Sequence, residues 1–259
     1  MAADCAERIL ETYASEREDW IAAVAATNVS RSRVYGDKRG ANDMSQARQS
    51  PGLSERMRRL RRNAFMRWVF RDLLLFTNKG SFVPYDSNRC EAYAVPTPPG
   101  ATPLWLMAGH TMTVRRNVAL TEPFENHLLG YAPAEDLDCS YRWGRHGAMF
   151  CQRRACLYHH QVATARIKRK QVVTLTLLNI LFFVRRSSSR QLVHGAAWTW
   201  MMMRRFVADL LRDLIRGRIT LPHVRGVLHA AWLAPLMFLQ ERSAIGDWYE
   251  DVQAAILKR

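Results

Sequence analysis

The chain has 259 residues, of which 48% are hydrophobic, enough to bury a core in one large domain or two modest ones. Lys and Arg number 38 against 23 Asp and Glu, a formal charge of +15 that calls for a nucleic-acid, acidic-protein or anionic-membrane partner. Five irregularly spaced cysteines and an N-terminus without basic-then-apolar order argue against a disulfide framework and a secretory signal. The longest apolar run, Val172 to Val184, falls short of the roughly twenty residues that a spanning helix needs.

Ala6 to Ala26 places Ile9, Leu10, Tyr13, Trp20, Ile21 and Val24 at helical spacing behind Asp4, which predicts an amphipathic N-terminal helix over 1–27. Residues 28–53 are polar and rich in Ser, Arg, Gly and Asn, the composition of a flexible linker. Ser54 to Phe76 reads as a second helix that opens on the basic run Arg56 to Arg62, a nuclear-import signal or a solvated face. From Thr77 to Asp138 seven prolines punctuate short apolar pieces such as Ala101 to Ala108 and Thr111 to Leu120, which favours short strands joined by turns.

Gln171 to Val184 is apolar and β-branched, a buried strand or a buried helix. Gln191 to Arg216 is predicted helical, and its Trp198, Trp200, Met201, Met202 and Met203 suit either the core or a docking surface over 198–215. Pro222 opens a further helix, kinked or broken near Pro235, and Asp247 to Lys258 forms the last. The expected fold is mainly α, with a small irregular α+β middle region and a helical C-terminal bundle. The expected division is 1–27, 28–53, a mixed middle domain over 54–170 and a helical C-terminal domain over 171–259.

Between Cys139 and Ala208 seventy residues contain no Asp or Glu but thirteen Lys and Arg, so most of the net charge is local. Cys139, Cys151, Cys156 and His160 form a C-x11-C-x4-C-x3-H pattern, with His146 or His159 as alternative flanking ligands. Three thiolates and an imidazole suit tetrahedral zinc. The stretch resembles a Cys-Cys-Cys-His zinc finger, a family that binds RNA or serves as a structural knob. The resemblance implies stacking of bases on Tyr141, Trp143, Phe150 and Tyr158, and phosphate contacts from Arg142, Arg145, Arg153 and Arg154. Arg166, Lys168, Arg169 and Lys170 add a short basic run that contacts phosphate or signals import.

Gly147-Ala148-Met149-Phe150 followed by Gln152-Arg153, with Val83-Pro84-Tyr85-Asp86 upstream and the apolar run Ile180 to Arg185 downstream, is similar to the large early-region-four protein of adenoviruses. That resemblance implies a non-enzymatic substrate adaptor for a cullin ubiquitin ligase, working in the host nucleus.

Phosphate-binding glycine loops, His-Glu-x-x-His and the zinc-deaminase pattern are all missing from the sequence, and it is expected not to be an enzyme. Two main functions are expected. One is a basic, viral, nuclear regulatory protein that binds RNA or single-stranded nucleic acid through a zinc-ordered segment. The other is the adenovirus-like ligase adaptor. A matrix-like protein that sets its basic face on a membrane is a third class.

Overall fold

The computed structural model describes residues 4–14, 20–28, 82–85, 96–130, 132–157 and 167–258. The expected linker past Asn28, the helix over 54–76, and Tyr158, His159, His160 and Arg166 lie outside these residues. Among the described residues the fold is mainly α with one small sheet, as expected, and it divides into two compact units.

The first unit contains α1 (Cys5–Ala14), β1 (Ile21–Asn28), β2 (Ala101–Pro103), β3 (Met112–Val114), the short α2 (Arg116–Thr121) and β4 (Ala148–Leu157). The helix α3 (Glu135–Trp143) contributes its residues from Cys139 onward to this unit. The four strands form one sheet in the order β2-β4-β1-β3, with β1 and β4 parallel at the centre and antiparallel strands outside.

The helix predicted to run from Ala6 to Ala26 is corrected here: it ends at Ala14, and Ile21 to Asn28 is a strand. Ile21 through Ala26 are each at most 4% exposed, because a central strand is covered on both faces. Such a strand shows no alternation, and its alanines are good helix formers, so the sequence pattern extended the helix across it. One face packs Ile21, Val24, Phe150 and Ala155 against Cys5 and Ile9 of α1. The other packs Ala23, Ala25 and Met149 against Met107, Cys139 and Trp143.

Gly147 makes the close pairing of β1 and β4 sterically possible. A Cβ there would lie 2.7 Å from the Trp20 carbonyl oxygen and 3.0 Å from the Ala22 nitrogen. Further along the same pair, the partner of β1 jumps from Gln152 opposite Ala26 to Cys156 opposite Thr27. The residues between them bulge from the ladder, which leaves Arg153 and Arg154 exposed. Gln152 itself is buried, with its amide nitrogen donating to Thr12 Oγ1 and the Pro99 carbonyl.

The second unit contains α4 (Arg169–Ser187), α5 (Gln191–Ile215), α6 (Pro222–Leu239) and α7 (Ile245–Lys258). The ambiguous run Gln171 to Val184 is helical and is the core of this unit: Val173, Leu175, Leu177, Leu178 and Ile180 to Val184 are at most 2% exposed. A helix buried on all sides has little amphipathic signal, hence the ambiguity in its sequence. Three buried polar side chains on it are partnered. Gln171 donates to the Ile256 carbonyl, Thr174 to the Gly226 carbonyl and Asn179 to the Pro133 carbonyl, and Asn179 accepts from Tyr249.

Of the kink or break expected near Pro235, the break does not occur: α6 runs through this proline to Leu239. Its N-terminus carries Pro222 at the first turn, where the missing N–H costs nothing. In the region from 77 to 138, the described strands β2 and β3 fit the expected short β pieces, and α2 and α3 are additional.

Candidate functional site

Of the residues expected to form a finger, Cys139, Cys151 and Cys156 are described and His160 lies outside the described residues. Cys139 belongs to the core cluster with Trp143 and Met149, and Arg142 reaches its sulfur at 3.5 Å. Cys151 lies on β4 beside Thr27, 3.6 Å from that hydroxyl. Cys156 lies near Cys5 in the cluster on the opposite face, where burial first and Cys156 second push the Cys5 thiol up. Among the described residues no group of three metal-ligating side chains includes a cysteine.

Three of the four aromatic side chains assigned to base stacking are described, and all three are buried. Tyr141, Trp143 and Phe150 are 4%, 1% and 0% exposed, and the Trp143 indole N–H donates to the Glu122 carbonyl. Arg142 and Arg145 face inward to the Glu122 carboxylate, at 3.0 and 3.8 Å. Burial pushes that carboxyl up, but hydrogen bonds from Arg142 and His146 and the neighbouring guanidinium charges outweigh it and hold Glu122 below its ordinary value. Of the proposed phosphate contacts, Arg153, Arg154, Lys168 and Arg169 are exposed and Lys170 is half-buried.

The second unit exposes what the sequence left undecided. On α5, Trp198 and Met201 turn inward, and the Trp198 indole donates to the Leu177 carbonyl at 2.9 Å. Trp200, Met203, Val207, Leu211 and Leu214 turn outward, from 37% to 61% exposed. Their steps of three and four residues keep them on one stripe. The helix α6 carries two apolar stripes. Val224, Val227, Ala230, Ala234 and Met237 are buried, whereas Leu228, Trp232, Leu236 and Leu239 are 43% to 79% exposed.

The two outer stripes meet. Trp200, Met203 and Val207 of α5 and Leu228 and Ala231 of α6 line one groove of about 520 Å³ whose surface is almost wholly apolar. Contiguous apolar surface of this kind marks an interaction site, whereas scattered single side chains do not. The sequence marks α5 as a possible docking helix, but the α6 stripe shows there only as an excess of apolar residues, since no helix can bury two opposite apolar faces in a small bundle without a partner for each.

Charge around the groove is one-sided. Arg204 is the charged residue lining it. The two acids of α5, Asp209 and Asp213, are both 0% exposed, and α6 has none. Asp209 accepts from Arg205 and Arg212, each at 2.7 Å. Asp213 reaches across to α6, accepting from His223 Nδ1 at 2.5 Å and from the backbone N–H groups of His223 and Val224. It thereby caps a helix whose own N-cap residue, Leu221, offers no side-chain acceptor and sits at φ 45°. Burial pushes the Asp213 carboxyl up, but these three hydrogen bonds prevail and hold it below the ordinary aspartate value.

One metal-compatible group occurs among the described residues: His127, Asp247 and Glu250 of the second unit. Comparison with known proteins gives no match to a family model, a curated protein or a solved structure.

Proposed function

We propose that this chain is a non-enzymatic adaptor whose working surface is the exposed apolar face of α5 and α6, and that its partner presents an acidic amphipathic helix. The observation that carries the reading is the groove between Trp200, Met203 and Leu228, bordered by helices whose acids are turned inward or missing. A helix laid in such a groove buries its apolar residues at i, i+3, i+4 and i+7, and acidic side chains along its rim meet arginines. A second copy of this face would set cation against cation, which disfavours self-association through it.

The likeness to the adenoviral early-region-four protein supports the same reading. Most of the described residues in its three islands are core positions: Ala148, Met149 and Phe150 on β4, Val83 and Tyr85, and Ile180 to Val184 on α4 are buried, whereas Pro84 and Arg153 are exposed. Gly147 is needed where β1 and β4 approach. Residues of this kind carry a fold, and the fold would present the docking face. The proposed role is that of a viral substrate adaptor in the nucleus, linking a host protein to a cullin ubiquitin ligase.

The test is recovery of tagged chain from nuclease-treated nuclear extracts, with cullin subunits quantified against a Met203→Asp/Leu228→Asp variant. The expected result is cullin with the wild type, together with a substrate protein that the variant fails to retain. Cullin-free wild-type material, or an unchanged set of partners with the variant, contradicts the adaptor reading.

A second reading, binding of RNA or single-stranded nucleic acid, is favoured by the exposed Arg153 and Arg154 on β4 and by Lys168 and Arg169 at the start of α4. Removing phosphate contacts of this kind lowers affinity and flattens its salt dependence without changing sequence preference. Filter binding of single-stranded RNA across a salt series, with Arg153→Gln/Arg154→Gln, tests it. Binding indifferent to salt and to these substitutions would rule it out.

A further inference from the structure

His127, Asp247 and Glu250 are brought together from two distant parts of the chain, and we propose that they form a binding site for a divalent transition metal, with zinc as the first candidate. This inference does not depend on the adaptor reading.

Asp247 and Glu250 stand one turn apart on α7, so both carboxylates leave the same side of the helix. His127 comes from the segment that precedes α3, and its Nδ1 lies 2.7 Å from Glu250 Oε1. One ligand atom from each of the three residues lies within 4.8 Å of the other two. Ligand atoms bound at about 2.1 Å to one tetrahedral zinc are about 3.4 Å apart, so the His127–Glu250 contact must open by roughly 0.7 Å, within side-chain reach, to become a shared coordination edge.

The imidazole is held in place by features that an ordinary surface ion pair does not need. Gln253, on the next turn of α7, accepts from the Leu129 N–H at 3.0 Å and donates to the His127 carbonyl at 2.7 Å. The backbone on the C-terminal side of the histidine is thereby tied to the helix that supplies the carboxylates, and its own N–H donates to Glu125. The ring occupies the space over Gly246, where a Cβ would lie 2.6 to 2.8 Å from its atoms. Phe182 meets the ring edge-on at 6.4 Å between centroids. The site is thus preorganised on one side, and it opens to solvent at the exposed Asp247, which leaves room for an ion to enter and for water to complete its shell.

The donor set selects among cations. An imidazole favours zinc, copper, iron or nickel over magnesium and calcium, and two carboxylates without a thiolate disfavour soft ions. A bound ion would cross-link the 127–129 segment to α7, fastening the second unit.

The experiment is titration of chelator-stripped full-length protein with Zn(II) by calorimetry and with Co(II) by absorption. The expected result is one strong equivalent and a Co(II) spectrum with ligand-field bands but no intense sulfur-to-metal charge transfer. Asp247→Asn, which alters an exposed side chain, and Glu250→Gln should each weaken Zn(II) binding by at least about tenfold while thermal unfolding of the metal-free protein stays close to wild type. Absence of a stoichiometric equivalent overturns the proposal. So does affinity that survives both substitutions, or a thiolate charge-transfer band, which would return the metal to the cysteines.

Discussion

The strand β4 and the helix pair α5–α6 exchange the roles that their sequences suggest. β4 and the end of α3 hold the cysteines, arginines and aromatics that look like a binding site, yet Trp143, Phe150 and Cys139 are at most 1% exposed and serve the core. The second region looks like ordinary core, yet Trp200 is 57% and Trp232 is 77% exposed. Aromatic and thiol side chains state what a residue can do; only the number of apolar faces relative to available partners states which will be covered.

The sharpest way to break this contrast is to truncate one tryptophan in each region. Trp143→Ala should cost about 3–5 kcal/mol, as expected for a buried indole that also loses its hydrogen bond. Trp232→Ala should change stability by no more than about 0.5 kcal/mol. Equal losses in urea unfolding would show that the two surfaces are not distinguished as described.

Next in size is Gly147→Val. Its side chain must displace the β1 backbone at Trp20, and a loss of about 3 kcal/mol is expected, read from the denaturation midpoint. A near-neutral result would mean that β1 and β4 do not approach as closely as they do here.

Asp213→Asn should cost about 2 kcal/mol, since the amide presents donors to groups that themselves donate. Because its pKa is depressed in the fold, the Asp213 carboxylate contributes its full stability above the unfolded aspartate value, about 3.9, and loses it as pH falls through the folded value. The gap between wild type and variant should therefore narrow on acidification below about pH 4. A gap that widens there would contradict the assigned ionisation.

The smallest expected effect on stability is that of Leu228→Ser, within about 0.5 kcal/mol, alongside a large effect on partner retention. A destabilised Leu228→Ser protein would mean that the outer stripe of α6 is core after all.

Much of the fold was legible because long periodic helices announce themselves. α5 and α7 lie within a few residues of their predicted limits, and Pro222 marks the start of α6. What was not legible has one cause, burial on every side. β1 lost its alternation and α4 its amphipathic stripe because both are covered all round, and neither pattern reports such coverage. The finger spacing does not report where its cysteines sit, for a related reason. Its cysteines are close in sequence, but β4 is extended and puts Cys151 and Cys156 at separate positions along a sheet, with Cys139 packed beyond one of its faces. The triad of His127, Asp247 and Glu250 had no sequence signal except the one-turn spacing of its two acids, since the histidine is more than a hundred residues away.

The central claim concerns the charge-biased apolar face of α5 and α6, and its most direct test is titration of the chain with two designed amphipathic helical peptides that share a leucine face and differ only in carrying Glu or Lys around it. Binding followed by the fluorescence of Trp200 and Trp232 should be seen with the Glu peptide, should weaken as salt is raised, and should fall by roughly tenfold or more in Met203→Asp/Leu228→Asp. Equal binding of the Lys peptide, or undiminished binding by the variant, would contradict the account.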